Sequence, residues 1–295
     1  MKIHNKNLIE LHSAVFLFGF AALFGKFLNF HPIVIVCGRA LFAAVTLLII
    51  LLFSKKCFRL NSRKDYLFLA SIGIIYAIHW LTFFKSIQVS NVAIAVLTFS
   101  TFPIFVTFLE PFFFKEQIRL FDIMTALITL SGVSLVVPSF ELSNNLTQGV
   151  LWGIGAGFTC AILTIANRKN VEQYSSILIS FYQNLTAGIV LIPFMFYLKL
   201  DLSYKDLLLL ILLGVLFTAI THALYINSLT TIKVQLASII TCLEPVYAIL
   251  FAAILLKEIP TTKTVIGGLV ILGSVFYATI NSKSITKSKL IASEH

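Results

Sequence analysis

The sequence predicts an all-α integral membrane protein in which ten transmembrane helices form two inverted five-helix repeats. Three observations predict it. The 295-residue chain is 59% hydrophobic and 12% charged, with mean hydropathy +0.98, which leaves too few polar residues to coat a water-soluble domain of this size. It contains ten apolar runs of spanning length, and its halves match at a shift of 142 positions.

A crossing helix needs about 20 mostly apolar residues to span roughly 30 Å of hydrocarbon. The first half supplies runs at 8–30, 33–53, 66–84, 92–112 and 118–137. The second supplies 149–166, 176–198, 207–228, 234–256 and 264–280. Helices are required because lipid cannot satisfy backbone amides, and the alternation of barrel strands is absent. The first run follows Lys2 and Lys6 as in a signal peptide, but its length and the lack of a small-residue cleavage site make it a retained span.

With the N-terminus inside, 15 of the 22 Lys and Arg fall on one side and six on the other, Arg39 remaining within a span. That bias puts both termini in the cytoplasm. The net charge of +10 is therefore read as topology, with no nucleic-acid partner. Residues 1–138 and 149–281 form the repeats, and 282–295 a basic cytoplasmic tail. Cys37, Cys57, Cys160 and Cys242 form neither a C-x-x-C pair nor a ligand spacing, so neither a disulfide nor a metal site is expected, and no cofactor.

The 142-residue shift superposes Ala77 and Ile78 on Ala219 and Ile220, Ser86 on Ser228, Val92 on Val234 and Pro103 on Pro245. Lys115 and Glu116 likewise fall on Lys257 and Glu258. Five spans per half is an odd number, which forces the halves into opposite orientations. Inverted repeats around a midplane site are an architecture of secondary transporters, whose halves exchange conformations to open the site alternately.

The segment with Pro103, then Lys115 and Glu116, then a span containing Gly132 resembles the repeat of the EamA family in the drug/metabolite transporter superfamily. Glu244 and Pro245, Lys257 and Glu258, then Gly267 and Gly268 resemble it again, and Gly38, Arg39 and Ala40 to Ala44 are similar to its second-span arginine motif. Phe18 before Gly19 departs from the family's usual Trp. The resemblance implies a carrier of small metabolites in a bacterial inner membrane, often an exporter, with substrates from amino acids to nucleosides and xenobiotics.

Glu244 lies about ten residues into the ninth run, near the midplane, where a carboxylate is costly unless protonated, paired or hydrated. It is read as a proton-coupling group or a grip on a cationic solute, against a plain hydrogen-bonded carboxyl. Ser238, Thr241 and Pro245 extend a polar stripe beside it at helical spacing. Tyr76, His79, Trp80 and Phe83 in the third run match Thr218, Thr221, His222 and Tyr225 in the eighth, two faces that suit a flat, apolar or cationic substrate. His222 is a candidate to pass protons with Glu244. Packing is the competing reading of both faces.

Pro103 and Pro245 cannot donate to the carbonyls of Phe99 and Thr241, leaving these as ligands or as bending points. Arg39 is read as an ion pair or snorkelling side chain, a gate or a substrate contact. Glu110 is expected at the interface, and the two Lys-Glu pairs as helix-end anchors before gate latches. Gly149, Gly153 and Gly157 form a small-residue stripe for close packing inside the fold or for a homodimer. No H-E-x-x-H, G-x-S-x-G or phosphate-cradling loop is present, so an enzyme is not expected. The expected partners are a small-molecule solute and the bilayer, and a channel or lipid flippase of the same architecture is the alternative.

Overall fold

The computed structural model describes residues 2–54, 59–114, 120–136, 141, 143–198, 200–232, 234–274 and 276–277. Among them there is helix and no strand. The Lys115 and Glu116 pair, the 282–295 tail and the Ser238 side chain lie outside the described residues.

The helices are α1 (Lys2–Ala21), α2 (Phe24–Phe27), α3 (Pro32–Phe53), α4 (Arg63–Val89), α5 (Val92–Phe99), α6 (Phe102–Phe114) and α7 (Leu120–Val136). There follow α8 (Asn145–Asn170), α9 (Ser176–Met195), α10 (Tyr204–Gly214), α11 (Thr221–Ser228), α12 (Val234–Thr241), α13 (Glu244–Phe251) and α14 (Thr262–Ser274). Two π-helical segments, Val215–Ile220 and Ala252–Leu256, continue α10 and α13. Side chains fix several starts: His31 precedes Pro32 and accepts from the Ile33 amide, Ser62 caps α4, Asn91 caps α5, and Ser203 with Asp206 forms a capping box at α10.

Among the described residues, seven helical stretches are long and apolar enough to cross a membrane: Asn5–Phe27, Pro32–Phe53, Arg63–Val89, Val92–Phe113, Asn145–Asn170, Ser176–Met195 and Tyr204–Ser228. Ile123–Val136, Glu244–Leu256 and Thr262–Ser274 are shorter apolar helices. The runs expected at 92–112 and 234–256 are not continuous. The first breaks between Phe99 and Phe102 and the second between Thr241 and Glu244, 142 residues apart. Pro103 and Pro245 occupy the second position of the restarted helices, where a missing amide removes no intrahelical bond.

Helix α4 lies among α3, α5, α8 and α9; α3 packs on α9, and α1 on α11 and α13. Glycines set the closest approaches. Gly132 and Gly267 bring α7 and α14 together so tightly that a Cβ on Gly267 would lie 2.7 Å from the Gly132 carbonyl oxygen. Gly149, Gly153 and Gly157 of α8 face Ser90, Ser86, Thr98 and the α5–α6 break. The small-residue stripe is thus occupied inside the fold and offers no face to a second copy.

Both ends of the bundle are tied by side chains. At one end Lys26 Nζ donates to the Ser90 carbonyl at 3.0 Å and lies 3.9 Å from Glu258, whose Oε2 accepts from the Val92 amide at 3.0 Å. Lys257, beside it, ends its helix in the left-handed region with φ 58°. At the other end Asn7 donates to Thr230 and Thr231, and Arg168 pairs with Glu110 at 2.6 Å. Glu110 is only 2% exposed, so the interfacial role expected of it is replaced by a buried link between α6 and α8.

Candidate functional site

The site begins at three irregular points in the helices. Thr218 in the π segment and Thr221 at the start of α11 donate their hydroxyls to carbonyls five residues back, Leu213 at 2.7 Å and Leu216 at 2.8 Å. Such a bulge re-aims the side chains around it. Here it leaves the Thr218 oxygen free to accept from Arg39 Nε at 2.9 Å, with His222 one turn on. The other two points are the breaks, which bring Phe99 and Glu244 to the interior.

These elements surround a cavity of about 550 Å³ counting its open mouth, of which about 50 Å³ admits the centre of a water molecule. Water needs roughly 10–15 Å³ of such volume per molecule, so the site has room for a few waters. His79, Trp80, Phe83, His222, Tyr225, Thr241 and Glu244 all line it. The pairs Trp80/His222 and Phe83/Tyr225 are each 142 apart in sequence, and the Trp80 and His222 rings meet at 5.6 Å. The lining combines aromatic groups, Trp80, Phe83 and Phe99 among them, with the more polar His222, Tyr225, Thr241 and Glu244.

Glu244 is 4% exposed at the first position of α13, where the helix dipole favours a negative charge. No hydrogen bond or ion pair from a described residue reaches its carboxyl group. Thr241 donates to the Ala237 carbonyl at 2.8 Å, and its oxygen remains an acceptor. His79 meets the Ala156 carbonyl through Nδ1 at 3.0 Å, and because a carbonyl only accepts, Nδ1 carries the proton. His79 is therefore anchored to α8, whereas His222 Nε2 is buried without a partner between Phe18, Tyr76 and Trp80.

Arg39 departs from the snorkel and ion-pair readings. It is 0% exposed, because Gly214 lets α10 approach so closely that a Cβ there would lie 2.9 Å from the Arg39 carbonyl. Its Cζ sits 3.6 Å over the Trp80 ring centroid, a stacked arrangement worth about 2 kcal/mol once desolvated. No acidic partner pairs with it among the described residues, and Nη1 and Nη2 are buried without hydrogen bonds. Arg39 thus stands behind Trp80 rather than on the cavity wall. Pro103 and Pro245 are likewise absent from the lining and act by setting the breaks. The Phe99 carbonyl is covered by Gly157, where a Cβ would lie 2.9 Å away, and so serves the bend rather than a ligand.

The sequence reading did not single out Phe99 as a wall, nor Cys160, Leu163, Thr164, Asn167 and Gln183 from α8 and α9. The signal was present for the amides, since Asn167 and Gln183 are strong donors and acceptors within apolar runs. They satisfy each other, Gln183 donating to Asn167 at 2.6 Å.

Comparison with known proteins supports a membrane transporter. The chain is 30% identical over 237 residues to an inner membrane transporter of Salmonella typhimurium named YicL, covering 76% of each chain. It is 28% identical to the Bacillus subtilis transporter YxxF, covering 64% of this chain and 61% of that one, so the match spans less than two thirds of this relative. Solute carrier family 35 member G1 of Mus musculus is 26% identical over 90% of this chain and 76% of its own. A solved crystal structure at 15% identity superposes with a TM-score of 0.69 over 95% of this chain and 98% of the other, which shows a shared fold. The model of the EamA-like transporter family matches residues 8–137 and again 147–280, and this multi-pass membrane protein belongs to that family.

Proposed function

We propose that the protein is a secondary carrier of small organic solutes, such as amino acids, nucleosides or related metabolites, and not an enzyme. It works by alternating access between two inverted five-helix repeats, residues 1–138 and 149–281, ten helices in all. Both termini face the cytoplasm of a bacterial inner membrane, and export is the direction that the family resemblance implies. Glu244 carries the coupling proton.

The observation that carries this reading is a cavity walled by residues 142 apart, Trp80 against His222, with an unpaired carboxyl group inside it. Three further features support it. Helix packing exchanges under the shift, α4 on α8 corresponding to α11 on α1, and α5 on α8 to α12 on α1. The two helix breaks fall at equivalent positions, and the family model matches twice. Side chains tie both ends around a site with room for a few waters, which favours a carrier over a channel with a continuous water path.

The test is uptake into proteoliposomes of pooled amino acids, nucleosides and amines, with and without an imposed pH gradient. Gradient-dependent accumulation of one class, lost in Glu244→Gln with folding intact, is the expected result. Saturable exchange indifferent to the gradient and to Glu244 removes the proton role. Conductance in planar bilayers far above carrier turnover makes the protein a channel.

A further inference from the structure

We propose that the transported solute bears a carboxylate and that Arg39 is the group that receives it, held in reserve behind Trp80. This rests on the carrier reading, because it names the ligand chemistry of the same cavity. The guanidinium stays charged at any physiological pH and presents a planar fork matched to carboxylate. In the structure only Nε is used, donating to Thr218, while Nη1 and Nη2 are buried with no hydrogen-bond partner. Buried donors in native proteins are almost always satisfied, so two orphaned nitrogens on one wholly buried cation mark an interaction made in another state.

The indole of Trp80 covers the guanidinium at 3.6 Å and also lines the cavity, so the ring is the partition between Arg39 and the solute. A small shift of that ring exposes the fork. The orphaned Nε2 of His222 lies in the same ring cluster, 5.6 Å from Trp80 between ring centres, and in the Nε2–H tautomer adds a donor. Glu244, on the cavity wall, forms no ion pair with Arg39. A phosphate dianion does not suit this site. Among the described residues the cavity wall carries no Lys or Arg to supply a second positive charge. A single carboxylate, bidentate on Nη1 and Nη2, satisfies both orphans without one.

The experiment measures the thermal unfolding midpoint of the purified full chain in detergent. It is titrated with propionate, benzoate, L-alanine and L-phenylalanine, with their primary amides, and with inorganic phosphate. At least one carboxylate is expected to stabilise the wild type at concentrations about tenfold or more below its amide, and Arg39→Lys, which keeps the charge but loses the fork, to weaken it about as much. Stabilisation by none of the carboxylates, equal stabilisation by acid and amide, an unaltered response in Arg39→Lys, or phosphate acting as strongly each overturns the proposal. The acid and amide comparison on wild type decides the matter even where a variant fails to fold. Carboxylate binding without transport in proteoliposomes refutes the carrier and leaves the site. Transport of a solute without a carboxylate, equal in wild type and Arg39→Lys, refutes the site and leaves the carrier.

Discussion

Replacing Gly157 by Ala tests the contact on which the first helix break rests. An open helical glycine gains about 1 kcal/mol on becoming alanine, because the backbone loses less entropy on folding. Gly155, two residues away on the same helix, is such a position, with nothing within 4 Å of an added Cβ. At Gly157 the same methyl would lie 2.9 Å from the Phe99 carbonyl oxygen, 3.1 Å from Thr101 Oγ1 and 3.3 Å from the Phe102 amide nitrogen. Two of these three atoms are backbone at the α5–α6 break and cannot rotate away. Overpacking of this kind costs about 1–3 kcal/mol, which leaves Gly157→Ala between neutral and about 2 kcal/mol less stable than wild type. In a chain of this size about 1 kcal/mol moves the midpoint by roughly 2 °C. Thermal unfolding in detergent should therefore rise by about 2 °C for Gly155→Ala and fall by up to about 4 °C for Gly157→Ala, on the same scale. Gly157→Ala at or above Gly155→Ala would refute the close approach of α8 to the break.

Two further outcomes follow from the ends of the bundle. Glu258→Gln removes the charge facing Lys26, a partly exposed pair 3.9 Å apart whose loss costs up to about 1 kcal/mol, so opening at that end should rise by up to about fivefold. With Cys37, Cys57 and Cys242 replaced, the reaction of Cys160 on the cavity wall with a hydrophilic maleimide should accelerate accordingly; an unchanged rate means the contact is no latch. Asp65 accepts from the Tyr174 hydroxyl at 2.8 Å and from Ser62 at 2.8 Å, and the same Tyr174 oxygen accepts from the Asn61 amide at 3.0 Å. Tyr174→Phe removes both Tyr174 bonds, worth about 1 kcal/mol each, and should lower the unfolding midpoint by roughly 2–4 °C; a midpoint equal to that of wild type would rule this out.

The membrane-embedded, all-helical character was legible in the sequence because lipid forces each spanning segment to satisfy its own backbone, which makes the fold largely a local property of apolar runs. The prolines were legible for the same reason. Pro103 and Pro245 act on their own helices, and the breaks fall beside them at the expected spacing. Part of the wall was also readable, since His79, Trp80, Phe83, His222, Tyr225, Thr241 and Glu244 announce themselves as aromatic or polar groups within apolar runs.

What the sequence left open is partnership across long separations. Arg39 finds Thr218, 179 residues away, only because a π segment and Gly214 shape α10 and its continuation around it. Glu110 finds Arg168 on α8, and the Ala156 carbonyl takes the Nδ1 proton of His79, although periodicity names neither partner. Local chemistry thus determined that the chain is helical and membrane-embedded, where its helices bend and which polar groups they carry inward. Only the tertiary structure decided which of those groups are already satisfied and which polar atoms, like Nη1 and Nη2 of Arg39 and Nε2 of His222, are left without a hydrogen-bond partner, because that depends on how helices from distant parts of the chain pack.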